Sequence, residues 1–200
     1  MDAVMPAGTR AASSPAEVLL TVPGPPAART AAQAVGALAV AGVPAGFAVD
    51  AVAGAVAALV LGGVVLARVL ALPGWLQAAL GAAMLAAAGA SVLGLYESVT
   101  WVDIPAHFLL NGLVAASLGT VLLRAGLLAD PRTRRGRAGI ALTTATTGVA
   151  LGVVWEIAEW VGFTYVDPSV YVYYGDTIGD LSAGGAGCLL AGLLVAGEAR

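Results

Sequence analysis

Three stretches of the chain carry side chains that could do chemistry, and each lies beside a long apolar segment. The members of each pair are separated by three or four residues: Asp103 and His107, Glu156 and Glu159, and Asp176 and Asp180. Such spacings place both side chains of a pair on one face of a helix. Imidazole and carboxylate groups transfer protons and coordinate divalent cations.

Acidic side chains are costly inside a membrane, with a penalty of roughly 2.5 to 3.5 kcal/mol for an aspartate at a helix centre. Such residues face a protein interior and often mark function. At about 1.5 Å of rise per residue, His107, Glu156 and Asp180 each lie roughly 6 Å inside the predicted end of their helix. They share a depth, and their convergence in azimuth is a hypothesis.

One neutral imidazole with several carboxylates suits a divalent ion such as Mg, Mn or Zn, which would also offset the repulsion between the acids. Without a metal, the same groups suit general acid/base catalysis. The predicted catalytic residues are His107, Glu156, Glu159 and Asp180. The predicted metal ligands are Asp103, His107, Glu156, Glu159, Asp176 and Asp180.

Structural roles are alternatives for several of these residues. Asp103 precedes an early helical proline and is predicted to be an N-cap, and Asp176 can cap the last span in the same way. Asn111 continues the stripe of Asp103 but is predicted to be a packing residue. Glu156 and Glu159 end their helix, where the helix dipole disfavours acid, so structure alone explains them least.

The composition predicts an all-α polytopic membrane bundle. Hydrophobic residues make up 60% of the 200 residues and charged residues 10%, and the mean hydropathy is +0.92. This length allows about six spans of some 20 residues. The single cysteine, Cys188, excludes an intrachain disulfide and a cysteine-built metal site. The net charge of −3 gives no reason to expect a nucleic-acid partner.

Apolar runs and their breaks set the predicted boundaries. Asp50 separates the first two spans, and the pair Pro73 and Gly74 ends the second. The proline-rich segment 1–30 is predicted to be a disordered cytoplasmic tail. Residues 31–197 form a single membrane domain with spans near 31–49, 51–71, 75–96, 104–127, 138–160 and 177–197.

Charge asymmetry predicts the orientation. The loop 130–137 holds four of the nine arginines, the chain has no lysine, and short basic loops stay in the cytoplasm. Because successive spans cross the membrane in opposite directions, this assignment predicts that every arginine and both termini are on the cytoplasmic side. It also places eight of the twelve acids outside or in the outer half of the membrane. The outer loop 161–175 contains Tyr165, Tyr171, Tyr173 and Tyr174 and is typical of an interfacial aromatic belt.

The motifs of the second half resemble a known family. Asp103 with His107 and Phe108, Trp155-Glu156 with Glu159, and Gly175-Asp176-Thr177 with Asp180 are similar to those of the YjdF-like bacterial inner-membrane proteins, a family of unknown function. A more distant resemblance is to the VanZ-like proteins. The likeness covers roughly residues 96–196. It implies a shared site and a multi-pass location in the bacterial cytoplasmic (inner) membrane, and it implies no established activity.

Three functions fit these observations. The first is a membrane enzyme or metal-dependent site that acts on a lipid-linked or cell-envelope small molecule, with the lipid bilayer as its surroundings. The second is an ion- or proton-coupled transporter, whose site would be expected nearer the midplane. The third is a structural or assembly protein in which the acids serve as interhelical bonds.

Overall fold

A computed structural model describes residues 14–99, 101–166 and 172–199, without the side chain of Glu97. These residues form eight helices and no strand. The helices are α1 (Pro15–Leu20), α2 (Pro26–Val49), α3 (Ala51–Val69), α4 (Gly74–Val92), α5 (Leu95–Ser98), α6 (Asp103–Arg124), α7 (Arg134–Tyr165) and α8 (Tyr174–Glu198).

Six of these helices, α2, α3, α4, α6, α7 and α8, are long and apolar enough to cross a membrane. The predicted polytopic helical bundle of about six spans is therefore confirmed. The bounds differ most in two places. Span three ends at Val92 and is followed by the short helix α5, and span five extends over Arg134–Tyr165 instead of 138–160.

The predicted disordered tail requires a correction from residue 14 onward, whereas residues 1–13 lie outside the described part of the chain. The Ser14 hydroxyl accepts a hydrogen bond from the Glu17 amide at 3.1 Å and caps α1. Pro26 begins α2 as its first residue. Proline is favoured at that position because its φ is already helical and its missing N–H needs no partner there. Two of the prolines that predicted disorder, Pro15 and Pro26, therefore begin helices.

The first three spans pack together around a tight turn at Asp50. The Asp50 Oδ1 atom accepts a hydrogen bond from the Ala53 amide at 2.7 Å and so caps α3. Across the turn, a Cβ built on Gly46 would lie 2.7 Å from the Ala53 carbonyl oxygen, so only glycine fits. At the opposite end, the buried Arg68 donates from Nη2 to the Ala32 carbonyl at 2.8 Å and joins α3 to α2.

The last three spans form the closest part of the bundle. A Cβ on Gly187 of α8 would overlap the Phe108 carbonyl oxygen of α6, and a Cβ on Gly112 would lie 3.0 Å from the Gly187 carbonyl oxygen. Small residues let helix backbones approach in this way. α7 closes the group, and its long N-terminal extension begins with the Thr133 hydroxyl as cap.

Residues that are four positions apart lie on the same face of a helix, one turn apart. The inward-facing residues of α6, α7 and α8 therefore form successive layers between the three helices. Contacts between side chains and glycines define each layer. From the outer end inward, the layers are His107 with Glu156 and Asp180, Asn111 with Gly152 and Gly184, and Ala115 with Gly148 and Cys188. The first layer is charged, the second is narrow and polar, and the third is apolar.

Hydrogen bonds to backbone carbonyl groups join the helix ends at the arginine side. The Gly74 amide donates to the Pro23 carbonyl at 2.8 Å, and the Arg124 Nη1 atom donates to the Ala71 carbonyl at 2.7 Å. The described arginines lie at or near this end: Arg29, Arg68, Arg124, Arg132, Arg134, Arg135 and Arg137. Arg10 and Arg200 lie outside the described residues.

The positive-inside rule predicts that this arginine end faces the cytoplasm. In intact cells, an impermeant maleimide should label a Tyr165→Cys variant, and it should label an Arg132→Cys variant only after permeabilisation. Both positions are exposed. The wild-type protein is the control, because its Cys188 is fully buried. If the maleimide labels Arg132→Cys but not Tyr165→Cys in intact cells, the orientation is opposite to the predicted one.

Candidate functional site

The structure brings carboxylates from three helices around one buried imidazole. His107 of α6 is 8% exposed. Its Nε2 atom lies 3.3 Å from Asp103 Oδ1 and 3.9 Å from Asp180 Oδ1, and its Nδ1 atom lies 3.6 Å from Glu156 Oε1. Both ring nitrogens therefore face carboxylates. The residues that share a predicted depth also share an azimuth.

Two sets of three donor groups are compact enough to hold a metal ion, with their atoms within 4.8 Å of one another. One set is Asp103, His107 and Asp180, and the other is His107, Glu156 and Glu159. We call these five residues the His107 centre. Among the described residues, neither set includes Asp176, although its charge acts on the carboxylates of Glu156 and Asp180.

The predicted capping roles of the two outer aspartates are wrong. Val102 occupies the N-cap position of α6 with helical φ and ψ angles, so Asp103 is already the first helical residue and interacts with His107 one turn on. In α8 the N-cap is Tyr173, and Asp176 lies within the first turn. Neither helix has a side-chain cap hydrogen bond. Asp103 is thus part of the His107 centre, whereas Asp176 is at its rim.

The charge of the centre is not balanced by basic side chains. Glu156 is 9% exposed and Asp180 3% exposed. Among the described residues, the ion pairs of Asp103, Glu156 and Asp180 are all made with His107. Four carboxylates therefore surround a single imidazole at the end of the bundle that lacks the described arginines. Carboxylates buried in this way need protons or a bound cation.

Two further side chains interact with carboxylates of the centre, a third lies near it, and none of the three was predicted there. The Thr177 hydroxyl interacts with the Glu156 carboxyl group, and the Trp155 side chain interacts with that of Glu159. In the sequence, Thr177 follows Asp176 and Trp155 precedes Glu156. Their positions beside the acids in the sequence were the available signal.

The third unpredicted residue, Tyr96, belongs to α5 and approaches the centre from the first half of the chain. Its hydroxyl donates to the Ala87 carbonyl at 3.4 Å. Burial, with the charges of Asp103 and Glu159 nearby, raises the pKa of the Tyr96 phenol to about 12. Tyr96 is therefore a neutral hydrogen-bond donor at physiological pH. The predicted span 75–96 ends at this residue, whereas in the structure span three ends at Val92.

Exposed aromatic side chains lie at the end of the bundle opposite the described arginines, where the aromatic belt is predicted. Tyr165 is 73% exposed, Tyr173 53% and Tyr174 84%, and Trp155 and Trp160 are 42% and 50% exposed. Tyr171 and Asp167, which belong to the same predicted outer loop, lie outside the described residues. Exposed tryptophan and tyrosine are typical of the membrane–water interface.

These features define a multi-pass membrane protein with a histidine and carboxylate cluster at one end of its spans. A family model described as a predicted membrane protein, DUF2238, matches residues 28–199. The chain belongs to this family, and all six spans fall within the match except for the first two residues of α2. The YjdF-like resemblance is consistent with it, whereas a relation to the VanZ-like proteins is not shown. No curated protein and no solved structure matches the chain.

Proposed function

We propose that the His107 centre binds a divalent cation and carries out acid/base chemistry on a lipid-linked or cell-envelope molecule at the outer leaflet of the bacterial cytoplasmic membrane. The observation that carries the proposal is the approach of carboxylates to both nitrogens of one buried imidazole, with no described arginine to balance them. A divalent cation neutralises two of these charges and uses the ligand types present.

The two sides of the imidazole suit different roles. Asp103, His107 Nε2 and Asp180 are the proposed ligands, because these three form one of the two compact donor sets and both carboxylates approach the same ring nitrogen. A histidine that ligates a metal commonly donates its other N–H to a carboxylate, which fixes the ring orientation. Glu156, 3.6 Å from Nδ1, is placed for this role. Glu159 is then the proposed general base, and a bound metal would supply an activated water or a polarised substrate oxygen.

The position of the centre favours a substrate that presents its polar group at the headgroup level. α7 has 32 residues, which is about 48 Å of helix against a hydrocarbon thickness of about 30 Å. Its outer end carries Trp160, Phe163 and Tyr165 with large exposed fractions. The carboxylates of Glu156 and Glu159 therefore lie where the apolar span meets the interfacial aromatic side chains.

Transport through the centre is the alternative that the interior favours less. One layer below Asn111, the helices close on Ala115 and Cys188, both fully buried, and Gly148 packs between them. A cation that crossed here would have to pass an apolar layer of packed side chains. A purely structural role is also less favoured, since paired acids in an assembly interface need donors, and His107 is the one basic partner of the centre among the described residues.

Metal analysis of the purified protein tests the proposal. Wild-type protein in detergent should retain about one Mn²⁺ or Zn²⁺ per chain after removal of free metal, and Asp180→Asn should weaken binding at least about 100-fold because it removes a charged ligand. Asp50→Asn is the matched control, since it changes an acid at the same end of the bundle and asparagine still caps a helix. Absence of metal binding in the wild type, or equal binding by Asp180→Asn, would contradict the proposal.

A further inference from the structure

Asn111, the single asparagine in the chain, lies one helical turn below His107 on the same face of α6. Its neighbours across the interior are two glycines. Gly152 of α7 is one turn below Glu156, and Gly184 of α8 is one turn below Asp180. The layer of Asn111, Gly152 and Gly184 is therefore the floor of the His107 centre.

The two glycines make the room that the Asn111 side chain occupies. A Cβ on Gly184 would overlap the Asn111 Nδ2 atom, and a Cβ on Gly152 would lie 3.5 Å from both the Nδ2 and the Oδ1 atoms. The carboxamide therefore extends from α6 across to α7 and α8 beneath the carboxylates. Packing alone does not explain a polar group here, because leucine has nearly the same shape.

The Asn111 carboxamide has no hydrogen-bond partner among the residues that the structure describes. Its backbone carbonyl accepts from Cys188 Sγ at 3.5 Å, but no such bond involves its side chain. Asn111 is half-buried rather than enclosed, so water or a bound molecule can reach its carboxamide. The layer below is apolar and closed, whereas the layer above contains the imidazole and carboxylates of the His107 centre, so the polar side of the Asn111 layer is the side of the centre.

We propose that Asn111 is a binding residue of the His107 centre, with its carboxamide hydrogen-bonded to an oxygen of the molecule held there. This inference rests on the proposed function. A carboxamide both donates and accepts hydrogen bonds, so the partner is either a water bound to the cation or an oxyanion such as a phosphate group. The first source is present with the metal alone, and the second requires an added anion.

Titration of Mn²⁺ into purified Asn111→Leu protein, with and without inorganic phosphate, distinguishes these sources. Loss of an outer partner of a metal site lowers affinity about 10–100-fold, and we expect about a 10-fold loss. A loss with Mn²⁺ alone assigns Asn111 to the metal-bound water. If instead Asn111→Leu binds Mn²⁺ alone as the wild type does, but phosphate raises its Mn²⁺ affinity less than it raises that of the wild type, the partner of Asn111 is an oxyanion. The thermal stability of metal-free Asn111→Leu should equal or exceed that of the wild type.

Thr144→Val is the matched control. Thr144 is fully buried between the same helices and its hydroxyl also has no hydrogen-bond partner, but it packs against Gly119 near the opposite end of the span. Its substitution should leave Mn²⁺ affinity unchanged. Wild-type Mn²⁺ affinity in Asn111→Leu, with and without phosphate, overturns the inference while the proposed function stands. A wild-type protein that binds no Mn²⁺ overturns the proposed function itself.

Discussion

Replacing His107 by glutamine should weaken Mn²⁺ binding by at least about 100-fold and destabilise the metal-free protein by about 3–5 kcal/mol, the cost of removing one partner from a buried charged pair. Glutamine keeps a polar group of similar length, but it can neither carry a positive charge nor present two nitrogens on opposite sides of a ring. Asp103, Glu156 and Asp180 would then face one another without the imidazole that now separates them.

The measurements are the Mn²⁺ affinity and the midpoint of thermal unfolding in detergent, with and without metal. Ser117→Ala is the control on the same helix, because Ser117 is also buried and its hydroxyl is satisfied locally by the Leu113 carbonyl at 2.7 Å. It should change neither quantity appreciably. If His107→Gln has the Mn²⁺ affinity and the thermal stability of the wild type, the imidazole neither binds the metal nor stabilises the surrounding carboxylates.

Gly187→Ala should be the most damaging addition of a single methyl group to the interface of α6 and α8. The new Cβ would overlap the Phe108 carbonyl oxygen and lie 3.3 Å from the Gly112 amide nitrogen. Both neighbours are backbone atoms, so relief requires the two helices to move apart. Overpacking of this kind costs about 3 kcal/mol. Since Phe108 follows His107, the same movement should also weaken metal binding.

Thermal unfolding and Mn²⁺ titration of the Gly187→Ala protein test this expectation. Gly89→Ala is the matched control, because Gly89 lies inside α4 with no atom within 4 Å of the position of its new Cβ. Alanine there should be neutral or stabilising by up to about 1 kcal/mol, the difference in helix propensity. Equal effects of the two substitutions would mean that α6 and α8 do not touch at Gly187.

The six spans were predictable because each is a long apolar run with a physical break at its end. Asp50 is such a break and caps α3 in the structure. The first residues of α2 were not predictable in the same way. Five prolines before residue 27 are typical of a disordered segment, yet Pro26 starts a helix, and proline is compatible with both. Neighbouring packing decides between them.

Helix geometry was enough to predict the common depth of the residues in the His107 centre, but not that their side chains meet. Residue spacing placed His107, Glu156 and Asp180 at one level, since the rise per residue is fixed. Their common azimuth depends on how α6, α7 and α8 rotate against one another. That rotation is set by contacts such as the one between Gly112 and Gly187, which a pattern within one helix does not contain.

Tyr96 shows the same limit. Its place in the sequence gives no sign that Tyr96 comes near Asp103 and Glu159, because the direction of α5 depends on the turn at Leu93 and Gly94, where Gly94 adopts a φ of 62°. The distinction between Asp103 and Asp176 likewise comes from the helix starts. One extra helical residue before Asp103 converts an expected cap into a partner of His107.

The separation of charge along the bundle also has an electrical consequence. In the predicted orientation the described arginines are at the cytoplasmic end and the His107 centre is at the outer end, and an inside-negative membrane potential favours this arrangement. It also acts on the cation. One elementary charge crossing 100 mV gains about 2.3 kcal/mol, and the centre lies about one fifth of the way through the hydrocarbon. An energised membrane should therefore increase the occupancy of the centre by an external divalent ion about fivefold at low concentration.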